Sequence, residues 1–346
     1  VIINGAMNVA QRGTSSTGVG ASSGYFTCDR WRIISGGSTA GRLTMTQDSS
    51  APSGFANSLK LDCTTADTSI ASGEVVILQQ KIEGQNLQGF AKGTSDAKPF
   101  ALSFYVKGNA SATYVAELMD NDNTRQISKT FNVTTDWTRV ELTYPADTTG
   151  AFDDDNEASL DLMIWLHGGS TYTSGTLNSS GFASRTDANR AVGISSFFDS
   201  TDRTFFITGV QLEIGQNPTE FEHEPFERTL SKCQRYFQTW TQEASGFSTN
   251  NYAPVGDAVI HSDTTSFVQY THPVPLRATP ALTFNGNFAS NNSGADRAMS
   301  NLRINQATPY ITGFLGDIAD NNEAGEVGYM RASNDADASI FFDSEL

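Results

Sequence analysis

Charge is scarce in this sequence, and positive charge most of all. Only 17% of the 346 residues are charged, with 22 Lys+Arg against 38 Asp+Glu and a formal net charge of −16. Nucleic-acid binding needs clustered Lys and Arg to neutralise phosphates and release counterions. The sequence has no basic run, so neither DNA nor RNA is expected as a main partner. The same balance disfavours anionic membrane surfaces, and strong negative charge chiefly favours solubility. Cysteine is equally thin. Cys28, Cys63 and Cys233 are an odd number with no C-x-x-C spacing, which argues against a zinc ribbon or a disulfide framework. One pair could form, but a reduced assembly compartment is the simpler expectation. No apolar stretch approaches the ~20 residues that cross a bilayer, so no membrane insertion is expected. No charged-then-apolar secretory segment opens the chain. It starts on Val1-Ile2-Ile3-Asn4-Gly5 without Met, and an attachment segment ahead of it is expected.

What is present is apolar bulk and turn chemistry. Hydrophobic residues make up 38%, with 22 Phe, 10 Tyr and 4 Trp, enough large side chains to exclude a disordered chain. The polar remainder is largely Gly, Ser, Thr and Asn, a mix suited to strands joined by many turns. Leu102 to Lys107, Thr138 to Tyr144 and Leu160 to His167 alternate with period two, as half-buried antiparallel strands do. Thr204 to Ile214 is more evenly apolar and reads as a central or closing strand. One helix is expected over 224–241. Pro225 suits its first position, and Phe226, Leu230, Cys233, Phe237 and Trp240 recur at helical steps. A second β-rich region follows. The expected fold is all-β: a jelly-roll β-sandwich over 1–223, one short connecting helix over 224–241, and a smaller distal β-sandwich over 242–346.

Several strings in the chain look familiar. Phe206-Ile207-Thr208-Gly209-Val210-Gln211-Leu212-Glu213-Ile214-Gly215 is followed by Pro218-Thr219-Glu220-Phe221-Glu222-His223 and Cys233-Gln234-Arg235-Tyr236-Phe237. Near the start stand Asn4-Gly5-Ala6-Met7, Val9-Ala10-Gln11-Arg12-Gly13-Thr14-Ser15 and Cys28-Asp29-Arg30-Trp31-Arg32. Thr135-Asp136-Trp137-Thr138-Arg139-Val140 and His272-Pro273-Val274-Pro275-Leu276-Arg277-Ala278-Thr279-Pro280 continue the pattern. Together they resemble bacteriophage tail-fibre and receptor-binding proteins with a carbohydrate-binding-module-like jelly-roll domain. The resemblance touches most of the chain, and its motifs are structural rather than catalytic. It implies a virion location after synthesis in the host cytoplasm, other virion proteins as partners, a host cell-surface glycan as ligand, and a homotrimer. Many such modules hold a structural calcium ion on acidic residues near the final strand. Here that place reads Ile207-Thr208-Gly209-Val210, without the usual acidic pair.

Catalytic and metal motifs are weak. Gly20-Ala21-Ser22-Ser23-Gly24 satisfies G-x-S-x-G, but a nucleophile elbow needs a strand before it and a helix after it, and this one lies in a Gly/Ser-rich loop. Asp153-Asp154-Asp155-Asn156-Glu157 and Asp120-Asn121-Asp122-Asn123 lack the Gly and Glu spacing of a calcium loop and read as solvated turns. His167, His223, His261 and His272 stand far apart, with no metal-ligand spacing. Glycoside cleavage needs two carboxylates at a set separation, and no pair stands out. No catalytic residue, metal or cofactor is expected.

Strand parity supplies the candidate site. If Leu160, Leu162, Ile164 and Leu166 face the core, then Asp161, Met163, Trp165 and His167 face away. Tyr105 points outward by the same logic. Tyr105, Asp161, Trp165 and His167 combine aromatic faces with polar edges, as sugar recognition requires, and Tyr172 lies in the long Ser/Thr/Gly-rich loop. These five are the candidate ligand-binding residues. For Trp165 the preferred reading is that its face packs on a neighbouring subunit or a covering loop. Trp31 and Trp137 are expected to anchor the core. Loops at Asn287 to Asp296 and Asp317 to Glu326 are rival contact points. The expected function is a non-enzymatic virion fibre protein that attaches to host surface glycan. The alternatives are a structural head-fibre, decoration or adaptor protein of the virion, and a polysaccharide depolymerase.

Overall fold

The computed structural model describes residues 1–242, 251–292, 294–319 and 322–346. It divides into two compact units, Val1–Thr229 with Leu346, and Leu230–Glu345. The expected linker Gln242 to Asn251 lies mostly outside the described residues, as do parts of both rival distal loops.

The first unit is a sandwich of two antiparallel sheets. One has six strands in the order Ser15–Val19, Arg42–Asp48, Ser58–Thr65, Thr204–Ile214, Phe100–Gly108 and Thr138–Tyr144. The other has seven: Ala183–Ser184, Arg125–Val133, Ala112–Asp120, Ala158–Gly168, Val75–Glu83, Arg32–Gly36 and Gly24–Tyr25. The chain crosses between sheets at most connections, as a jelly roll does. Both margins of the seven-stranded sheet are strands of two residues.

Alternation builds the core. Leu59, Leu61, Phe104, Val106, Phe205 and Ile207 from one sheet meet Leu78, Leu118, Leu160, Leu162, Ile164 and Leu166 from the other. Trp31 is fully buried, its indole N–H donating to Asn4 O at 3.2 Å. Cys28, Cys63 and Cys233 are all buried. Burial, with Asp29 adding, pushes the Cys28 thiol up to about 12, which keeps it protonated and unreactive.

The second unit is also β. Six strands close into a barrel in the order Pro254–Ser262, Thr265–Thr271, Ile311–Asp317, Ala295–Ala307, Phe288–Asn292 and Val327–Ala332. A separate three-stranded sheet places Ser339–Asp343 between Phe237–Thr241 and Ala281–Asn285. The expected helix is shorter than its apolar stripe suggests. It spans Phe226–Gln234, and Tyr236 N–H closes its end on Cys233 O at 2.9 Å. Phe237 and Trp240 continue the stripe in sequence but belong to a strand paired with Ser339–Asp343. Phe-Gln-Thr-Trp-Thr is a strand composition, and pairing outweighs the helical spacing.

Candidate functional site

The five sequence-nominated residues do not form one surface. Parity holds: Leu160, Leu162, Ile164 and Leu166 join the main core, and Met163 and Trp165 face the other way. That other face, however, is covered. Trp165 is 0% exposed and Asp161 only 3%. The segment after Gly168 folds back over the sheet and lays Tyr172, Leu177, Ala191 and Ile194 against Val75, Ile77, Val115, Met119 and Trp165. Tyr172 meets the Trp165 ring at 5.2 Å between centroids. Of the two expected covers for Trp165, the loop of its own chain is the one seen. In this arrangement Trp165 and Asp161 offer no platform to a sugar.

A charged network locks the covering segment down. Arg190 Nε lies 3.0 Å from Glu117 Oε1, and Nη2 lies 3.1 Å from Oε2. Trp165 Nε1–H donates to Oε2 at 2.6 Å, and the guanidinium sits 4.8 Å from the Trp165 ring centre. Burial pushes the Glu117 carboxyl upward against the pull of Arg190.

Asp161 is buried beside Gln79, whose Nε2–H donates to its Oδ2 at 2.7 Å. Burial raises its pKa to about 6, opposed by Lys81 and by hydrogen bonds from Asn121 and Gln79. The folded protein therefore holds this proton more tightly than the unfolded chain. Stability falls as pH rises from about 4 to about 6 and stays lowered above that. Asp161→Asn is expected to stabilise the protein at pH 7 by on the order of 2–3 kcal/mol and to change little near pH 3, below the unfolded pKa. Urea melts at the two pH values check this, and equal effects at both would contradict it.

His167 is set apart from Trp165 by a register shift in its strand. Its Nε2 lies 3.2 Å from Glu74 Oε2, 93 residues away in sequence, and its Nδ1 lies 2.8 Å from Ser196 Oγ. Asp67 completes a buried group in which one donor atom from each of Asp67, Glu74 and His167 lies within 4.8 Å of the others. Sequence spacing could not reveal this group, because the sandwich topology brings its members together.

The other acidic motifs resolve into structure. Asp120, expected in a solvated turn, is fully buried. Lys92 Nζ reaches it at 2.5 Å and Asp147 at 3.2 Å. Apolar neighbours bury a charge only when it is paired in this way. Ser22 of the G-x-S-x-G string leads into the strand Gly24–Tyr25 and not into a helix, so it forms no elbow. His272 is buried between Gln238 and Thr312, each at 2.9 Å, and desolvation lowers its pKa to about 4.

Tyr105 lies elsewhere, half-exposed on the outer face of the six-stranded sheet. Cross-strand register places Lys60 and Lys107 opposite Phe206, and Thr208 and Arg139 opposite Tyr105. The Phe206 ring lies 5.5 Å from Lys60 Nζ, 5.8 Å from Lys107 Nζ and 6.0 Å from the Trp137 ring, which stands edge-on to it. Trp137, expected in the core, is half-exposed here with Phe206 and both lysines. Beside them Phe55 meets Tyr105 at 5.4 Å, Phe221 at 5.1 Å and His223 at 5.0 Å. Gly209 makes this possible. Its φ is +62°, and a Cβ there would stand 2.7 Å from the Phe55 ring and 3.0 Å from Tyr105. This face therefore carries two aromatic clusters, with ammonium groups at one of them. Parity located Tyr105 in the sequence. Phe206, buried in appearance within an even apolar run, was missed.

No protein-family model matches the sequence, and no curated protein matches it. Solved structures do resemble part of the chain. A structure described as a CBM4 module is 14% identical, with a TM-score of 0.34, and the match covers 62% of this chain and 100% of that one. A family 11 carbohydrate-binding module of the cellulase Lic26A-Cel5E from Clostridium thermocellum is 13% identical, with a TM-score of 0.29 and coverage of 60% and 98%. The enzymatically active domain of tailspike protein 4 from bacteriophage CBA120 is 13% identical, with a TM-score of 0.30, over 54% of this chain and 19% of that one. At these identities and scores the likeness carries no functional argument beyond the sandwich seen directly.

Proposed function

We propose that this chain is a virion attachment protein, a phage tail-fibre or receptor-binding subunit that grips a host surface glycan without cleaving it. The grip is assigned to the outer face of the six-stranded sheet. The observation that carries the reading is the half-exposed Phe206–Trp137 pair flanked by Lys60 and Lys107. Aromatic faces accept the apolar face of a sugar ring, and a few polar groups around them fix its orientation. Lys60 is already paired with Asp62 at 2.7 Å, and the Lys107 ammonium at that edge favours sugars bearing carboxylates. The sequence resemblance to fibre proteins is what supports a virion setting, virion partners and a trimer in this reading. A shallow face of this kind binds weakly alone, and three copies on one fibre would gain through effective concentration.

Binding to arrayed neutral and acidic polysaccharides tests the assignment. Phe206→Ala is expected to weaken binding about tenfold, about 1.4 kcal/mol, with the fold intact because the side chain is half-exposed. Lys107→Ala is expected to weaken binding to acidic glycans only, and less so at high salt. A wild-type protein that binds no glycan, or two variants that bind as well as wild type, would sink the reading. Labelled antibody on intact particles tests the virion location.

A further inference from the structure

The geometry points to a divalent transition-metal site, best suited to Zn²⁺, formed by Asp67, Glu74 and His167 at one end of the sandwich. It is independent of the glycan face. Asp67 follows the strand Ser58–Thr65 of the six-stranded sheet. Glu74 directly precedes Val75–Glu83, and His167 lies near the end of Ala158–Gly168, both in the seven-stranded sheet. A bound ion would therefore tie the two sheets together.

Three observations support the assignment. The first is charge. Both carboxylates and the imidazole are buried, and among the described residues no Lys or Arg forms an ion pair with Asp67 or Glu74. The Thr39 hydroxyl and the Ala40 N–H donate to Asp67 Oδ2 at 3.0 and 2.7 Å, which orients the carboxylate but supplies no full positive charge. Paired buried carboxylates need a compensating cation, and one imidazole supplies a single positive charge at most. The second is spacing. Four-coordinate zinc, with bonds of about 2.0–2.2 Å, sets its ligand atoms roughly 3.3–3.5 Å apart. His167 Nε2 and Glu74 Oε2 already stand 3.2 Å apart, and all three donor atoms lie within 4.8 Å. The third is the outer partner of the ring. His167 Nδ1 lies on Ser196 Oγ, which also accepts the Phe198 N–H at 3.1 Å. Metal-ligating histidines hold their second nitrogen on such a partner. The donor set of one nitrogen and two carboxylates suits zinc and its neighbours better than calcium, which takes six to eight oxygens.

The full chain, stripped of metal with chelator, is titrated with Zn²⁺, Co²⁺ and Ca²⁺ while its melting temperature and visible spectrum are followed. One equivalent of Zn²⁺ is expected to raise Tm, and Co²⁺ to give the absorption of a four-coordinate site. Ser196→Ala keeps all three ligands and is expected to weaken the metal about 10- to 100-fold. Asp67→Asn is expected to abolish the Co²⁺ bands. If Asp67→Asn does not fold by circular dichroism, the Ser196→Ala affinity and the wild-type spectrum decide. A folded wild-type protein with no Tm response to Zn²⁺, a response to Ca²⁺ alone, or Co²⁺ bands unchanged in a folded Asp67→Asn variant would each overturn the assignment.

Discussion

Replacing Arg190 with alanine is expected to destabilise the protein by about 3–5 kcal/mol, the range for removing one partner of a buried ion pair. Glu117 is fully buried, and its hydrogen bonds come from Arg190 and from the Trp165 N–H. Without the guanidinium, a single indole donor faces a carboxylate in an apolar surround, and the group takes up a proton instead. Burial already pushes Glu117 upward in the wild type. The variant should therefore regain part of its stability as pH falls, because the protonated acid needs no cation. Arg190 belongs to the covering segment, so its loss should also speed hydrogen exchange around Tyr172 and Ala191, whose backbones are joined by the Ala191 N–H to Tyr172 O bond at 3.0 Å. Denaturant melts against pH and exchange mass spectrometry measure both. A loss below about 1 kcal/mol, with unchanged exchange, would mean that the pair does not hold the segment.

Lys92→Met is expected to cost a similar amount, about 3–5 kcal/mol. The Lys92 ammonium is buried with Asp120 and Asp147, and donates to the carbonyl oxygens of Thr149 and Gly150 at 2.9 and 2.7 Å. It also lies over the rings of Phe152 and Phe182. Methionine keeps the length and apolar stem, so the loss reports the charge and not a cavity. Asp147 retains Arg125 at 2.8 Å, whereas Asp120 keeps only the neutral hydrogen bonds of the Asn123 N–H and side-chain amide and becomes the buried charge without a cation. Lys92→Met with Asp120→Asn should then be less destabilised than Lys92→Met alone. Double-mutant melts measure this coupling, and a double variant that loses the sum of both single effects would contradict it.

Period-two alternation made the sandwich legible. It needs only the sequence, and at Leu160 to Leu166 it sorted the core side chains from the others correctly. What covers the second face was not legible to the same degree. Tyr172, Leu177, Ala191 and Ile194 are scattered among polar residues and show no period. Glu117 and Arg190 lie 73 residues apart, and neither stands out before the fold joins them. The helix was expected over 224–241 and spans Phe226–Gln234, overrun chiefly at its end, since a 3–4 spacing can continue by chance into a strand. Closure of the six barrel strands depends on pairing between distant segments, which alternation within each strand does not encode. Of the site residues, Tyr105 was found by parity on an accessible face. Trp165 carries an aromatic ring of the kind sugars stack on, but the segment after Gly168 covers it.

The two-residue margins of the seven-stranded sheet have a consequence for aggregation. An open row of unpaired backbone groups invites foreign strands to dock and extend it. Here Ala183–Ser184 pairs only with Gln126 and Arg125, so among the described residues it leaves Ile127–Val133 of the neighbouring strand without a strand partner on that side. The six-stranded sheet ends on Thr138–Tyr144, seven residues long. Each sheet of the sandwich therefore keeps one long flank on which a foreign strand can dock, and a crowded array of these molecules is open to stacking through either.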